Sequence, residues 1–264
     1  MTDASLLART WEYRVQKTAL KLSARLRAAL AAAREGNAAP RFARSRYGVL
    51  MRANWSDRTF QYCFYGTYGS ALADLLNGMD RPFAFIDIGA NQGLYSLIAA
   101  KAPQCRKVLA LEPVRETFAT LQDNIAANET TGRITAVEAA LSDHAGTATI
   151  SVNPAHSGTA SLDHGAGATG VASRSVRLID HEEFDDLVGE PADLVVKVDV
   201  EGHESVVINE LMKSRHAPTI RHLFYEIDQR WTDNAAIVAL LREAGFTTFR
   251  KYGVGRHYDM LASR

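Results

Sequence analysis

Residues Phe83 to Ser96 constrain the fold of this chain more than any other stretch. Phe83-Ala84-Phe85-Ile86-Asp87-Ile88 is an apolar run broken by one carboxylate, Gly89-Ala90-Asn91-Gln92-Gly93 follows, and Leu94, Leu97 and Ile98 then recur at helical spacing. A short apolar run closed by glycine is the mark of a central parallel strand buried on both faces. The pattern predicts a strand over 83–88, a tight turn, and a helix over 93–102. Gly89 and Gly93 are expected to keep Cβ atoms away from a ligand that approaches the backbone. The unit reads as a seat for a nucleotide cofactor.

The glycine spacing narrows the cofactor. A dinucleotide seat uses G-x-G-x-x-G so that a pyrophosphate rests on the helix N-terminus. This chain instead has Asp87-x-Gly89-x-x-x-Gly93, with a carboxylate ahead of the first glycine. A carboxylate there repels phosphate but suits a cationic amino-acid end, such as the methionyl part of S-adenosylmethionine. The next strand, Lys107 to Leu111, ends at Glu112-Pro113, which puts an acid 23 residues beyond Gly89 (112 − 89). An acid so placed accepts hydrogen bonds from ribose hydroxyls.

Strand and helix patterns alternate through the rest of the chain. Strands are expected at 133–137, 193–199 and 220–227, and helices at 114–128, 203–213 and 233–244. Alternation of this kind implies a parallel sheet with right-handed crossovers. Thr247 to Tyr252 and His257 to Ala262, joined through Gly253-Val254-Gly255, read as a terminal hairpin. Ala139 to Ser142 is a short extended piece, and Thr147 to Val152 with Arg174 to Leu178 form an inserted strand pair. The loop at 153–173 between them is long for a compact domain, which points to function or disorder. Its 164–173 stretch is expected to be mobile.

Ahead of the core, Tyr47 to Met51 and Thr59 to Phe64 read as strands and Tyr68 to Leu76 as a helix. Period-two alternation would put Phe60, Tyr62 and Phe64 on one strand face. Phe60 and Phe64 suit core packing, while Tyr65 and Tyr68, beside Gly66 and Gly69, suit a lid; the segment 47–80 is read as that lid.

Three blocks carry a family resemblance: Phe85 to Gly93, Ala139-Ala140-Leu141-Ser142-Asp143, and Val196-Lys197-Val198-Asp199-Val200-Glu201-Gly202-His203-Glu204. From about Tyr47 onward the chain resembles the FkbM family of S-adenosylmethionine-dependent methyltransferases. The third block keeps every fixed position of that family's Lys-x-Asp-x-Glu-Gly-x-Glu pattern, and His203 falls at a free one. The resemblance implies an α/β class I methyltransferase fold: a Rossmann-like, mostly parallel sheet with a C-terminal antiparallel hairpin, here preceded by a helical extension. It implies a cofactor site at Asp87, Gly89, Ala90, Asn91, Gly93, Ser96, Glu112, Pro113, Leu141, Ser142 and Asp199, with Asp143 near the adenine and the Ser157-Gly158-Thr159 end of the long loop ordered beside the site.

Methyl transfer from a sulfonium needs an aligned acceptor and, for a hydroxyl, a group that takes its proton. Candidates sit at the C-terminal ends of the core strands, where open α/β sheets bind ligands. Lys197, Asp199 and Glu201 alternate as one strand ends, and Glu226 and Asp228 end the next. Asp199 is assigned to positioning near the methyl and amino group, and Glu201 or Glu226 to the base or acceptor-holding role; His203 is a further candidate base. Lys197 paired with Asp199 or Glu226, and Glu204 at a helix start, have structural readings as well. No metal is expected, although carboxylates of this kind suit Mg²⁺.

The acceptor is open at this level. FkbM-like enzymes O-methylate hydroxyls of sugars, glycolipids and secondary metabolites, and the same resemblance leaves N-methylation of a peptide or small molecule as an alternative. A catalytically silent partner of a glycan-assembly complex that binds S-adenosylmethionine is another. Nucleic acid is disfavoured, because Asp199-Val200-Glu201-Gly202 lacks the proline and aromatic of base amine methylases.

Charge adds a second expectation. The 264 residues carry zero formal net charge, but residues 1–46 hold ten Lys or Arg against three acids, a net of +7. Leu6 to Ala33 reads as one basic helix, followed by a Gly36-to-Pro40 linker. Such a helix packs on the body, joins a second subunit, or lies on anionic lipid. Two cysteines, no long apolar run and a charged N-terminus predict a cytoplasmic protein, membrane-associated at most through that helix.

Overall fold

The computed structural model describes residues 42–152, 157, 172–190 and 193–264. The expected basic helix, its linker and most of the 153–173 loop lie outside the described residues.

A seven-stranded sheet forms the centre. With the strands outside it numbered β1 (Phe42–Arg44), β2 (Leu50–Arg52), β6 (Ala140–Leu141), β7 (Gly146–Val152) and β8 (Ala172–Ile179), its own strands are β3 (Phe83–Ile88), β4 (Cys105–Leu111), β5 (Ile134–Val137), β9 (Asp193–Val198), β10 (Ile220–Asp228), β11 (Thr248–Tyr252) and β12 (His257–Ser263). They lie in the order β11-β12-β10-β9-β3-β4-β5. The five strands from β10 to β5 pair in parallel; β12 runs antiparallel to β10, and β11 to β12. This is the class I methyltransferase arrangement with its terminal hairpin. All six residues of β3 are buried, and alternation sends Phe83 and Phe85 to one face and Ala84, Ile86 and Ile88 to the other.

Helices cover both faces. Leu94–Lys101 and Arg115–Ala127 bury Leu97, Ile98, Leu121 and Ile125 on one side. Glu204–Lys213 and Asn234–Glu243 bury Ile208, Leu211, Ile237 and Leu241 on the other. Between β5 and β9 a small second sheet, Ala140–Leu141, Ala172–Ile179 and Gly146–Val152 in that order, closes over Val114, Ile150, Val176 and Leu178.

Four expectations change. Thr59 to Phe64 is a helix (Arg58–Tyr65), not a strand: Asp57 accepts from the Thr59 N–H at 3.0 Å and Gly66 closes it at φ 67°. Spacing of four puts Phe60 and Phe64 on one helix face against Trp55, and turns Tyr62 away toward Tyr68. Tyr47 to Met51 is mostly turn, with a strand only at Leu50–Arg52, and the helix expected from Tyr68 starts at Ala71. Phe42–Arg44, placed with the basic leader from sequence, pairs antiparallel with Leu50–Arg52 and belongs with the body. A helix at His181–Val188 follows Asp180, whose side chain caps the Glu183 N–H at 3.1 Å. No helix among the described residues is long and apolar enough to cross a membrane.

Candidate active site

A deep cleft opens at the C-terminal ends of β3, β4, β9 and β10, around the point where the sheet order reverses. Its wall is the turn after β3. Gly89 has φ +74°, and a Cβ there would drive into the Asp199 carbonyl oxygen. Gly93 has φ +84°, and a Cβ would overlap the Leu121 side chain. Both glycines therefore admit neighbouring protein groups; Gly89 also lines the cleft, and Gly93 stands behind its wall. Asn91, also left-handed at φ 49°, points its N–H at Glu112 Oε2 (2.8 Å).

Glu112 fixes that turn from the adjacent strand. Its second oxygen accepts from the Val114 N–H at 2.9 Å, and the side chain is buried on the cleft wall. Burial pushes the carboxyl up to about 7, against the pull of those two backbone donors. Such an acid gains from any further donor presented by a ligand. Gly89, Ala90, Asn91, Pro113, Leu141 and Asp199 also line the cleft.

The remaining cofactor candidates form a layer behind. Asp87 is 1% exposed and takes a 2.6 Å hydrogen bond from Ser96 Oγ. Lys197, its register partner on β9, lies 3.3 Å from Asp87 and 3.6 Å from Asp199, and donates to the Gly89 carbonyl at 2.7 Å. Burial alone would strip the Lys197 proton, but the Asp87 and Asp199 carboxylates outweigh it and hold the ammonium charged. The structural reading of Lys197 thus holds, with Asp87 as the main partner. Ser142 is buried behind Leu141, with Oγ 3.2 Å from His203 Nε2. Asp143 is exposed, pairs with His144 at 2.7 Å and is not among the residues that line the cleft.

Strand β9 ends at Val198, and Asp199 to Gly202 form a turn in which Glu201 has φ 52°. Glu204 holds that turn: Oε1 accepts from Val200 and Gly202 N–H groups at 3.3 and 3.0 Å, and Oε2 accepts from Thr232 Oγ1 at 2.9 Å. Its role is to shape the loop. Asp228 is tied to Arg230, which holds its carboxyl at about 2, and it lies outside the cleft lining.

Asp199, Glu201 and Glu226 converge, with one oxygen of each within 4.8 Å of the others. A hard cation would accept that spacing. Positive charge comes already from Lys197 beside Asp199 and from His257, whose Nε2 lies 2.5 Å from Glu226 Oε1. Burial, then Asp199 and Glu226, push Glu201 up to about 9, which makes it a proton-bearing donor at neutral pH. Burial and Asp199 push Glu226 up to about 7. Carboxyls crowded in this way titrate as one cluster, in which Glu201 is the harder to ionise.

Sequence reasoning missed part of the lining. His257 is a second imidazole beside His203, placed by hairpin register that no local pattern reveals. Tyr62, Tyr68 and Tyr95 form an aromatic wall, whereas Tyr65, expected in the lid, is buried and outside that lining. Asp57 accepts from Ser157 Oγ (2.8 Å) and N–H (3.2 Å) and from Gln92 Nε2, tying the pre-core helix, the glycine turn and the inserted loop together.

The model of the methyltransferase FkbM domain matches residues 87–248, more than half of the chain. The chain is 29% identical over 221 residues to the methyltransferase sdnD of Sordaria araneosa, covering 72% of this chain and 83% of that protein. Among solved structures, it is similar to an O-methyltransferase family protein from Burkholderia thailandensis (13% identity, TM-score 0.45, covering 74% and 55% of the two chains). It is also similar to a precorrin-6y C5,15-methyltransferase from Geobacter metallireducens (13% identity, TM-score 0.44, covering 74% and 86%).

Proposed function

Since this chain belongs to the FkbM methyltransferase family, we propose that its cleft binds S-adenosylmethionine and methylates a hydroxyl of a sugar, glycan or glycolipid. The observation that carries the reading is the opposed furnishing of one cleft. On one side Glu112 and the Gly89-to-Asn91 turn offer a buried acceptor for ribose hydroxyls; on the other, Asp199, Glu201 and Glu226 meet three tyrosines.

When bound, the cofactor supplies an electrophilic methyl on a sulfonium. The chain aligns the acceptor and manages one proton. Asp199 faces the cationic end, Glu201 donates a hydrogen bond to a neighbouring acceptor oxygen, and Glu226 takes the proton as the oxygen–carbon bond forms. Carboxylates beside aromatic rings suit a neutral polyol, and they oppose phosphate or carboxylate next to the reacting group. That also weighs against nucleic acid.

The same acid cluster would hold a cationic amine, which favours N-methylation of a peptide or small molecule as the second reading. A screen of surface-polysaccharide fragments, amino sugars and peptides with methyl-labelled S-adenosylmethionine tests both. Base-stable label on a hydroxyl supports the first reading, and label only on nitrogen replaces it with the second.

A further inference from the structure

The family match stops at residue 248, yet β12, which begins at His257, completes the cleft. Antiparallel register sets Asp228 opposite His257 and Glu226 opposite Asp259. Residues two apart on a strand share a face, so Glu226, Asp228, His257 and Asp259 all point to one side of the sheet. The opposite side takes Tyr225, Ile227, Tyr258 and Met260 into the core, which fixes the hairpin against slipping by one residue.

We infer that His257 is a positioning residue, whose imidazolium keeps Glu226 ionised and turns its Oε2 toward the acceptor so that Glu226 takes the proton. The inference rests on the methyl-transfer reading above for its last step only. The contact lies at 2.5 Å between His257 Nε2 and Glu226 Oε1, which occupies one carboxylate oxygen of a residue that lines the cleft. Glu226 is mostly buried and His257 mostly exposed, so the imidazole can carry its charge in water while screening a buried anion.

The groups around Glu226 make that charge necessary. Asp199 and Glu201 face it from the turn after β9 and Asp259 from β12, all acidic, and Tyr68 is near; among the described residues Lys197 is a further cation in reach, already shared by Asp87 and Asp199. The hydrogen bond to Glu226, above all else, lifts His257 to about 9, so the imidazole is protonated at neutral pH and is not itself the base. In the reaction the acceptor O–H bond breaks and its proton passes to Glu226 Oε2. The methyl carbon bonds to oxygen as its bond to sulfur breaks, and that electron pair stays on sulfur.

Two readouts on full-length His257→Gln and His257→Arg test this. Carboxyl-labelled ¹³C NMR follows Glu226 in the ligand-free protein and needs no turnover. Loss of a cation at contact distance should raise the Glu226 pKa in His257→Gln by about one to three, and His257→Arg should restore it. In turnover the acidic limb of the pH profile should move up equally, so that activity at pH 6 falls about tenfold for each pH unit the limb travels, with cofactor affinity unchanged. An unmoved Glu226 titration in a folded His257→Gln protein overturns the inference, whatever the activity. If the titration moves while no hydroxyl or amine is ever methylated, the charge relation stands and the functional reading falls.

Discussion

Glu112→Gln separates the two duties of the acid on the cleft wall. In the wild type its two oxygens accept from the Asn91 and Val114 N–H groups. A carboxamide has one acceptor oxygen, so one of those N–H groups would face an NH₂. A buried donor left unpaired costs about 1–3 kcal/mol. For a domain of this size each kcal/mol lowers Tm by about 2–4 °C, which gives a loss of about 2–12 °C in a thermal scan. Ribose hydroxyls donating to a charged carboxylate contribute about 1.5–3 kcal/mol, so calorimetry should find S-adenosylmethionine binding weaker by about ten- to a hundredfold. The pH dependence gives the sharper test. The folded carboxyl stands at about 7, raised by burial above its ordinary 4.5, and hydroxyl donors favour the ionised form. Binding should therefore tighten as pH rises toward 7, level off above it, and weaken about tenfold for each unit below it. The glutamine variant should bind with no such slope. Wild-type affinity that stays flat from about pH 5.5 to 8 would refute the assignment of Glu112 to the ribose.

Further substitutions separate the other roles. Glu226→Gln should lower turnover by ~10²–10⁴, while Glu201→Gln, which keeps a hydrogen-bond donor, should cost about tenfold or less; equal losses would reject the division of acid and base. EDTA should leave initial rates unchanged, and activity abolished by EDTA and restored by Mg²⁺ would put a cation among the three carboxylates. Gly89→Ala should destabilise by more than about 2 kcal/mol in denaturant, because a positive φ and a backbone carbonyl both oppose the new methyl; a smaller loss would show that the Asp199 carbonyl moves aside. Removing residues 1–41 should preserve cofactor affinity while changing oligomeric size or binding to anionic liposomes, and no change in light scattering or vesicle pelleting would reject both roles for the basic leader.

What the sequence revealed followed from how local each signal was. The β3 turn and Glu112 were legible because strand, turn and acid lie within thirty residues and each is dictated by its neighbours. The Arg58–Tyr65 helix was not, because aromatics at 60, 62 and 64 satisfy a period of two and the spacing of four together; Asp57 before the run and Gly66 after it were the deciding caps. His181–Val188 escaped because eight residues with four acids carry little apolar pattern, although Asp180 and Glu183 stand at capping-box spacing. His257 depends on cross-strand register, and a one-residue slip would have sent it to the other face.

The Lys-x-Asp-x-Glu-Gly-x-Glu block now has a physical account in which catalysis claims only part of it. Lys197 binds the Gly89 carbonyl, and the Asp199 carbonyl fills the space a Gly89 side chain would need, so the block and the glycine turn fix each other's backbone. Gly202 at φ 106° and the Glu204 carboxylate then fold the loop so that Glu201, itself left-handed, projects toward Glu226. Glu201 thus depends on its neighbours for position, and on burial first and then Asp199 and Glu226 for its proton. Glu204→Ala, which removes both acceptor oxygens with Glu201 intact, should therefore reduce turnover by releasing the Gly202 N–H and the loop, while leaving Glu112 and the ribose side undisturbed. A variant that keeps full turnover would mean that the loop holds its shape without Glu204, and would return that residue to a mere helix-start acid.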